Sequence, residues 1–524
     1  MQTHKTPRRV WHSVRPHARW AGWTAIAAAV ATLAACSGGN DVPTYAATIR
    51  TTSYGVPHVV ADNFKGAGYG YGYAFAQENI CLYAEELVTL HGERAKYFGA
   101  TGGYVGQLGT TTGNVDSDFF YKLIFTADQA ARLKAGSSQA AQDLANGFAT
   151  GYNRYLKDTG VANLPAACKG AAWVQPMTEN DAYLRFSQAA MTGSSMAFIN
   201  AIGQAQPPAK ASAGQVQAQA QSESTDYVNS PIIQGLAMLR DRTIGSNGLG
   251  LGRETTQSGA GLLMGNPHFP WWGALRLNQL HLTVTGENFD VMGATLLGVP
   301  IPLIGFNDKV AWTHTFSTDN RFTLRYLALD PTDPTRYIKD GKSVAMTAVP
   351  LTISAKAANG SLVEVKRTLY TTEFGPMLMD SSFAWSASAG FAVQDANLAN
   401  YRLIDQVILN GRSTSVDSLR QAAATYTAMP WVNTIAADRA GDTLYANYSV
   451  AANVQDAQLS ACVQGPFQAL MQSSGVVVMA GTTAACDWSG GVPASGRPWT
   501  KRSNYALNAN DSHWWPSKDT FLSG

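Results

Sequence analysis

Thr243-Ile244-Gly245-Ser246-Asn247-Gly248-Leu249-Gly250-Leu251-Gly252 is the stretch on which the reading of this chain turns. It divides an alanine- and glutamine-rich segment from a strand-rich one. Gly-Ser-Asn alone is most often a turn. Here the Gly245–Ser246 peptide bond reads as a point of self-cleavage that makes Ser246 a new amino terminus. A serine hydroxyl is a poor nucleophile without a nearby base. A freed α-amine, with a reference pKa of about 7.7–8.0, is partly neutral near pH 7 and supplies that base. The chain has no G-x-S-x-G nucleophile elbow, which fits a serine that carries its own base. The same hydroxyl can first attack the Gly245 carbonyl and pass through an ester.

The texture changes on either side of Ser246. Upstream, Ile80, Tyr83, Leu87 and Leu90 recur at helical spacing, as do Leu144, Phe148, Tyr152 and Tyr155. Thr178 followed by Asp181 marks a helix start. Residues 201–225 hold two prolines and almost no large apolar side chain, so they are expected to be an exposed connector. Residues 226–245 read as a spacer lying over the future site. Downstream, 247–252 and 261–265 read as two strands joined by a turn-rich segment. Leu280, Leu282 and Val284 alternate as in a half-buried strand, and strand-like runs follow at 349–354 and 362–370.

At 524 residues, with 45% hydrophobic and 14% charged residues, the chain is globular. Its net charge of +2 misleads, because five of the 38 basic residues lie in residues 1–35, which contain no acid. The remainder is slightly acidic and offers no basic face for nucleic acid. That basic front and the apolar run Ala25–Ala35 form an export signal, too short to span a bilayer comfortably. Leu33-Ala34-Ala35-Cys36 resembles a bacterial lipoprotein cleavage box with Cys36 as the acylated residue; ordinary secretory cleavage nearby is the plainer alternative. The periplasm or envelope of a Gram-negative bacterium follows, with membrane contact only through that lipid. Cys81, Cys168, Cys462 and Cys486 then imply two disulfides with three possible connectivities. Pairing Cys81 with Cys168 and Cys462 with Cys486, one bridge on each side of Ser246, is favoured. The glycine-rich runs at 66–72 and 248–252 lack the spacing of a dinucleotide fingerprint.

Longer motifs carry a resemblance. Met264-Gly-Asn-Pro-His-Phe-Pro-Trp271, Arg276-Leu-Asn-Gln-Leu-His-Leu-Thr283, Val291-Met-Gly-Ala-Thr-Leu-Leu-Gly-Val-Pro300, Ile304-Gly-Phe306 and Ala311-Trp-Thr-His-Thr315 resemble the penicillin acylase family of N-terminal-nucleophile hydrolases. Tyr54-Gly-Val-Pro-His-Val59 and Gly70-Tyr-Gly-Tyr-Ala-Phe-Ala-Gln-Glu-Asn79 resemble its first subunit. The likeness is greatest to the branch of acyl-homoserine-lactone, aculeacin and pyoverdine-maturation acylases.

The resemblance implies an α+β fold, the four-layer αββα sandwich of that class. It implies maturation into a heterodimer: an α-chain over 36–225, the 226–245 spacer, and a β-chain over 246–524. Ser246 would be the nucleophile and its amine the base. Asn510, in Asn508-Ala-Asn-Asp-Ser512, and the Phe316 backbone N–H would hold the oxyanion. His268 would orient the nucleophile. Phe269, Trp271 and Trp431 are candidates for an acyl pocket, whereas His281 and His314 read as structural. Asp319 falls where some relatives bind calcium, but this branch has little need of it, so neither metal nor cofactor is expected. The expected substrate is a small acylated amide, first an N-acyl-homoserine lactone, then a lipopeptide or siderophore precursor, then a β-lactam. Only fourteen residues follow Asn510 and none is arginine, whereas relatives continue further. The resemblance therefore implies a fold incomplete at its C-terminus. An inactive acylase remnant on the cell surface is the competing reading.

Overall fold

The computed structural model describes residues 45–106, 109, 111–208, 226–240 and 245–522. The leader, Cys36 and residues 209–225 lie outside the described residues.

Two long helices found the first segment, Phe64–Leu90 and Gln139–Thr159. Asn63 and Ser138 cap them by accepting from Gly66 and Ala141 N–H groups. Ile80, Tyr83, Leu87 and Leu90 are buried, as are Leu144, Phe148 and Tyr152. The glycines at 66–72 serve this packing. A Cβ on Gly68 would lie 2.3 Å from the Leu144 carbonyl oxygen, and one on Gly147 2.1 Å from that of Lys65. Only residues without a side chain allow the two backbones so close. Cys81–Cys168 ties the first helix to the loop beyond the second, and Cys462–Cys486 staples a helix end to a turn in the second segment.

A third helix, Glu179–Met191, starts with a capping box made by Thr178 and Asp181. The Asp181 carboxylate also sits 2.7 Å from His91 Nε2, just past the end of the first helix. Burial works against charge on His91, but the Asp181 carboxylate overrides it and holds the imidazolium pKa above its usual value. Burial likewise raises the Asp181 pKa, and His91 with the Thr178 N–H and hydroxyl bring it below the usual carboxylate range.

The connector starts later than composition suggests. Residues 199–203 are helical, and Ala201, Ile202 and Ala205 are buried. Few large side chains are needed, because Gly203 lies directly on the Asp116 backbone, where a Cβ would come within 2.0 Å of its oxygen.

A nine-stranded sheet runs in the order Thr48–Thr51, Pro57–Ala61, Leu277–Val284, Phe289–Leu296, Ile304–Phe306, Val310–Phe316, Val432–Asp438, Thr443–Ala446, Trp499–Arg502. Pro57–Ala61 pairs parallel with Leu277–Val284, so the segments before and after Ser246 share one sheet. Helices Leu403–Gly411 and Val416–Tyr426 pack on it. A three-stranded sheet, Tyr505–Asn508, Gly245–Leu251 and Leu262–His268, stacks on its middle strands. Close stacking needs small residues on the inner face: a Cβ on Gly265 would meet Thr313 Oγ1 at 2.7 Å. The outer face of the small sheet exposes Leu262, Met264 and Leu507. The runs at 349–354 and 362–370 form a hairpin, Thr347–Lys356 with Leu362–Thr371.

Asp181→Asn removes the charge that pairs with His91 and strengthens the capping box. A loss of about 1–2 kcal/mol of stability is expected. A lowered carboxylate pKa contributes above its unfolded value near 3.9 and is lost as pH falls; a raised histidine pKa contributes below about 6.5 and is lost as pH rises. Thermal melts of the two proteins should therefore differ most between about pH 4 and 6.5 and converge towards pH 9. A gap that widens above pH 8 would contradict the pairing.

Candidate active site

Ser246 is the second residue of the strand Gly245–Leu251, so the Gly245–Ser246 bond lies inside a paired strand. Its side chain is 1% exposed. The hydroxyl donates to the Gly245 carbonyl oxygen at 2.5 Å, the carbonyl of the very bond in question. The Ser246 N–H donates to Asn510 Oδ1 at 2.9 Å, and the Phe316 N–H donates to the same oxygen at 3.1 Å. Two backbone donors fix the amide orientation, because only oxygen accepts both. Asn510 Nδ2 then faces Gly245, where a Cβ would come within 2.8 Å of it.

Asn510 adopts φ +70°, a left-handed conformation that asparagine tolerates better than most residues. A buried polar network holds it there. Asn508 Oδ1 accepts from the Asn510 N–H at 2.9 Å, from Thr315 Oγ1 at 2.6 Å and from Asn433 Nδ2 at 3.3 Å. Tyr445 donates to Asn433 Oδ1 at 2.9 Å. Sequence reading assigned no role to Asn508, Asn433, Thr315 or Tyr445. The available signal was an asparagine in a run, 432–438, that is buried at every position.

An apolar cavity of about 60 Å³ opens beside Ser246. Phe269 and Trp431 line it, their rings 5.9 Å apart, and Trp431 stacks on Phe316 at 5.5 Å. The Trp431 indole N–H donates to the Ala189 carbonyl at 2.9 Å, which fixes the wall to the first segment. Phe186, Ala294 and Leu403 complete much of the lining. His314 also borders it. Burial pushes its pKa down to about 4, against its contacts with the Asn433 and Leu303 carbonyls, so it is neutral near pH 7. On the other side of Phe316 and Asn510, a second cavity is bordered by Leu236 of the helix Pro231–Arg240, within the expected spacer.

Two of the expected site residues lie apart from this cluster. Trp271 is 90% exposed and is not part of the cavity wall beside Ser246; its run leaves the strand at His268. His268 pairs across the strand with Gly245, and Ser246 with Pro267. Alternation therefore puts the histidine on the outer face and the serine on the inner one. His268 Nε2 lies 3.0 Å from Asn266 Nδ2 and 3.4 Å from Asn247 Nδ2, with no hydrogen bond to Ser246. His281 is held between His58 Nδ1, at 2.8 Å, and Asp290, at 2.7 Å, on the large sheet. Asp319 accepts from Asn447 Nδ2 at 3.0 Å and from Ser449 Oγ. Among the described residues no cluster of three or more His, Cys, Asp or Glu side chains could hold a metal ion.

The described geometry can be set beside known proteins. The family model for penicillin amidase matches residues 46–523. The acyl-homoserine lactone acylase PvdQ of Pseudomonas putida is 37% identical over 491 residues, covering 91% of this chain and 60% of that protein. Aculeacin-A acylase of Actinoplanes utahensis is 37% identical over 514 residues, covering 95% and 63%. The chain thus spans about 60% of the length of these relatives. The thermostable penicillin G acylase from Alcaligenes faecalis aligns with a TM-score of 0.42 and 19% identity, over 53% of this chain and 46% of that one. From the family match and these relatives, this chain belongs to the penicillin amidase family.

Proposed function

We propose that this chain is the uncut precursor of an amide hydrolase that removes the fatty acyl group from N-acylated amines, N-acyl-homoserine lactones first among them. One observation carries the reading: Asn510 Oδ1 gathers the Ser246 and Phe316 N–H groups at one point beside an apolar cavity. The names of the relatives support the substrate class.

In maturation the Ser246 hydroxyl attacks the Gly245 carbonyl carbon. The C–N bond breaks as the new ester C–O bond forms, and water hydrolyses the ester to a Gly245 carboxylate and a free Ser246 amine. In turnover that amine takes the hydroxyl proton, and Oγ attacks the substrate carbonyl. The Phe316 N–H and Asn510 Nδ2 receive the oxyanion, donors whose loss typically costs about 10²–10³ in rate. The proton passes to the leaving amine, and water then attacks the acyl-serine. Asn510 Oδ1 keeps the new amine aimed at its own hydroxyl. The apolar wall of Phe269, Trp431 and Phe316 receives the acyl chain.

The mature protein on this reading is a heterodimer of 36–225 and 246–524, freed of 226–245. It is exported by the 1–35 leader to the periplasm and tethered through Cys36 if the lipoprotein reading holds. The stacking of helices, large sheet and small sheet supports the family's αββα sandwich as the complete fold.

Mass spectrometry of the purified chain should find two fragments with Ser246 at a new amino terminus, and Ser246→Ala should stay whole. Cutting in Ser246→Ala, or an uncut wild type that still turns over, would sink the mechanism. Gly245→Val places side-chain atoms against Asn510 Nδ2, so maturation should slow at least about tenfold; an unchanged rate would free Asn510 from that step. Release of fatty acid from acyl-homoserine lactones of graded chain length tests the pocket. Ala294→Trp should shift the preference to shorter chains, and an unshifted profile would place the acyl group elsewhere.

A further inference from the structure

Arg497 follows the turn Ala494–Gly496 and is only 7% exposed. Arginine keeps its charge near pH 7, and a buried charge is costly unless something answers it. Among the described residues nothing does at hydrogen-bond distance: no ion pair or side-chain hydrogen bond reaches the guanidinium, and Nε is sealed without a partner. Asp319 acts on Arg497 through space, opposing the effect of burial, but its own oxygens are taken by Asn447 and Ser449.

Arg497 borders a cavity of about 220 Å³. Thr323 and His513 also line it, and their Oγ1 and Nε2 atoms are buried without a hydrogen-bond partner. Much of the remaining wall is apolar, with Val454, Leu459, Val477 and Val492. Counting about 30 Å³ per water-sized group, the space takes roughly seven. It shares no lining residue with the apolar cavity beside Ser246. A cation in the wall of a largely apolar chamber matches an amphiphile with an anionic head. Asp319 in the same wall favours a singly charged head over a phosphate dianion.

We infer that this cavity binds a small monocarboxylate of five or six carbons, its carboxylate on Arg497 and its tail against Leu459 and Val477. The planar guanidinium fork meets a carboxylate through two parallel N–H bonds, a geometry lysine cannot reproduce. The site is independent of amide cleavage and stands or falls without it.

Titration calorimetry with hexanoate on the full chain tests the site. Hexanoate should bind the wild type and Ala294→Trp alike, because the latter fills only the acyl cavity. Arg497→Met should bind at least about tenfold more weakly. Hexanamide, of the same shape without the charge, should bind the wild type at least about tenfold more weakly than hexanoate, which tests the cation should Arg497→Met fail to fold. No binding to the wild type, undiminished binding to Arg497→Met, loss of binding in Ala294→Trp, or equal binding of hexanoate and hexanamide would each overturn the assignment. Amide cleavage is read separately, so its failure cannot be mistaken for failure here.

Discussion

One carbonyl oxygen, Asn510 Oδ1, joins three strands that are far apart in sequence. It accepts from Ser246 at the start of the small sheet and from Phe316 at the end of a central strand in the large one. An amide in the left-handed region is held against its own preference, so the surroundings must over-determine it. Asn508, Thr315, Asn433 and Tyr445 do so from within the stacked sheets. Each of these groups is buried, and each would cost stability if left unpaired. The stacking of the sheets and the geometry of Asn510 are therefore one constraint.

The same packing would hold the two segments together after the proposed cut beside Ser246. The 57–61 strand pairs with 277–284 across the division. Arg185, fully buried in the first segment, donates to the Leu297 carbonyl at 2.8 Å and the Ala274 carbonyl at 2.6 Å in the second. Trp431 reaches back to Ala189, and Ser194 and Ser195 donate to the Asp395 carboxylate at 2.7 and 2.6 Å. Backbone carbonyls that accept from a buried guanidinium have no solvent to fall back on, so the segments cannot separate without exposing the charge.

Which residues would gather at the candidate site was partly legible in the sequence. Ser246, Asn510 and Phe316 do converge, and Phe269 and Trp431 do form a wall. The helical face from Ile80 to Leu90 and the Thr178 cap could be read from spacing, because periodicity and capping are local. What depends on facing was not legible. His268 follows Pro267 by one residue, and that single step sends it to the opposite face. Trp271 lies three residues past the strand end and leaves the sheet. Residues 201–205 looked exposed because composition does not record that a glycine can sit on another backbone. Asn433 carried no motif, and only the stacked sheets give it partners.

On the proposed reading, the uncut geometry also accounts for a precursor that is dormant. The Phe316 N–H, a donor for the oxyanion on the proposed reading, is spent on Asn510 Oδ1. The Ser246 hydroxyl is spent on the Gly245 carbonyl. Gly245 occupies the space in front of Asn510 Nδ2, and Leu236 borders the far side of Phe316. The nucleophile and the approach are occupied by Gly245, and the donor is held by Asn510 itself. On that reading the chain that would leave is the occupant of the site it builds. Its removal would free the hydroxyl and the space before Nδ2 while the Ser246 nitrogen kept its acceptor, so the proposed base would stay placed.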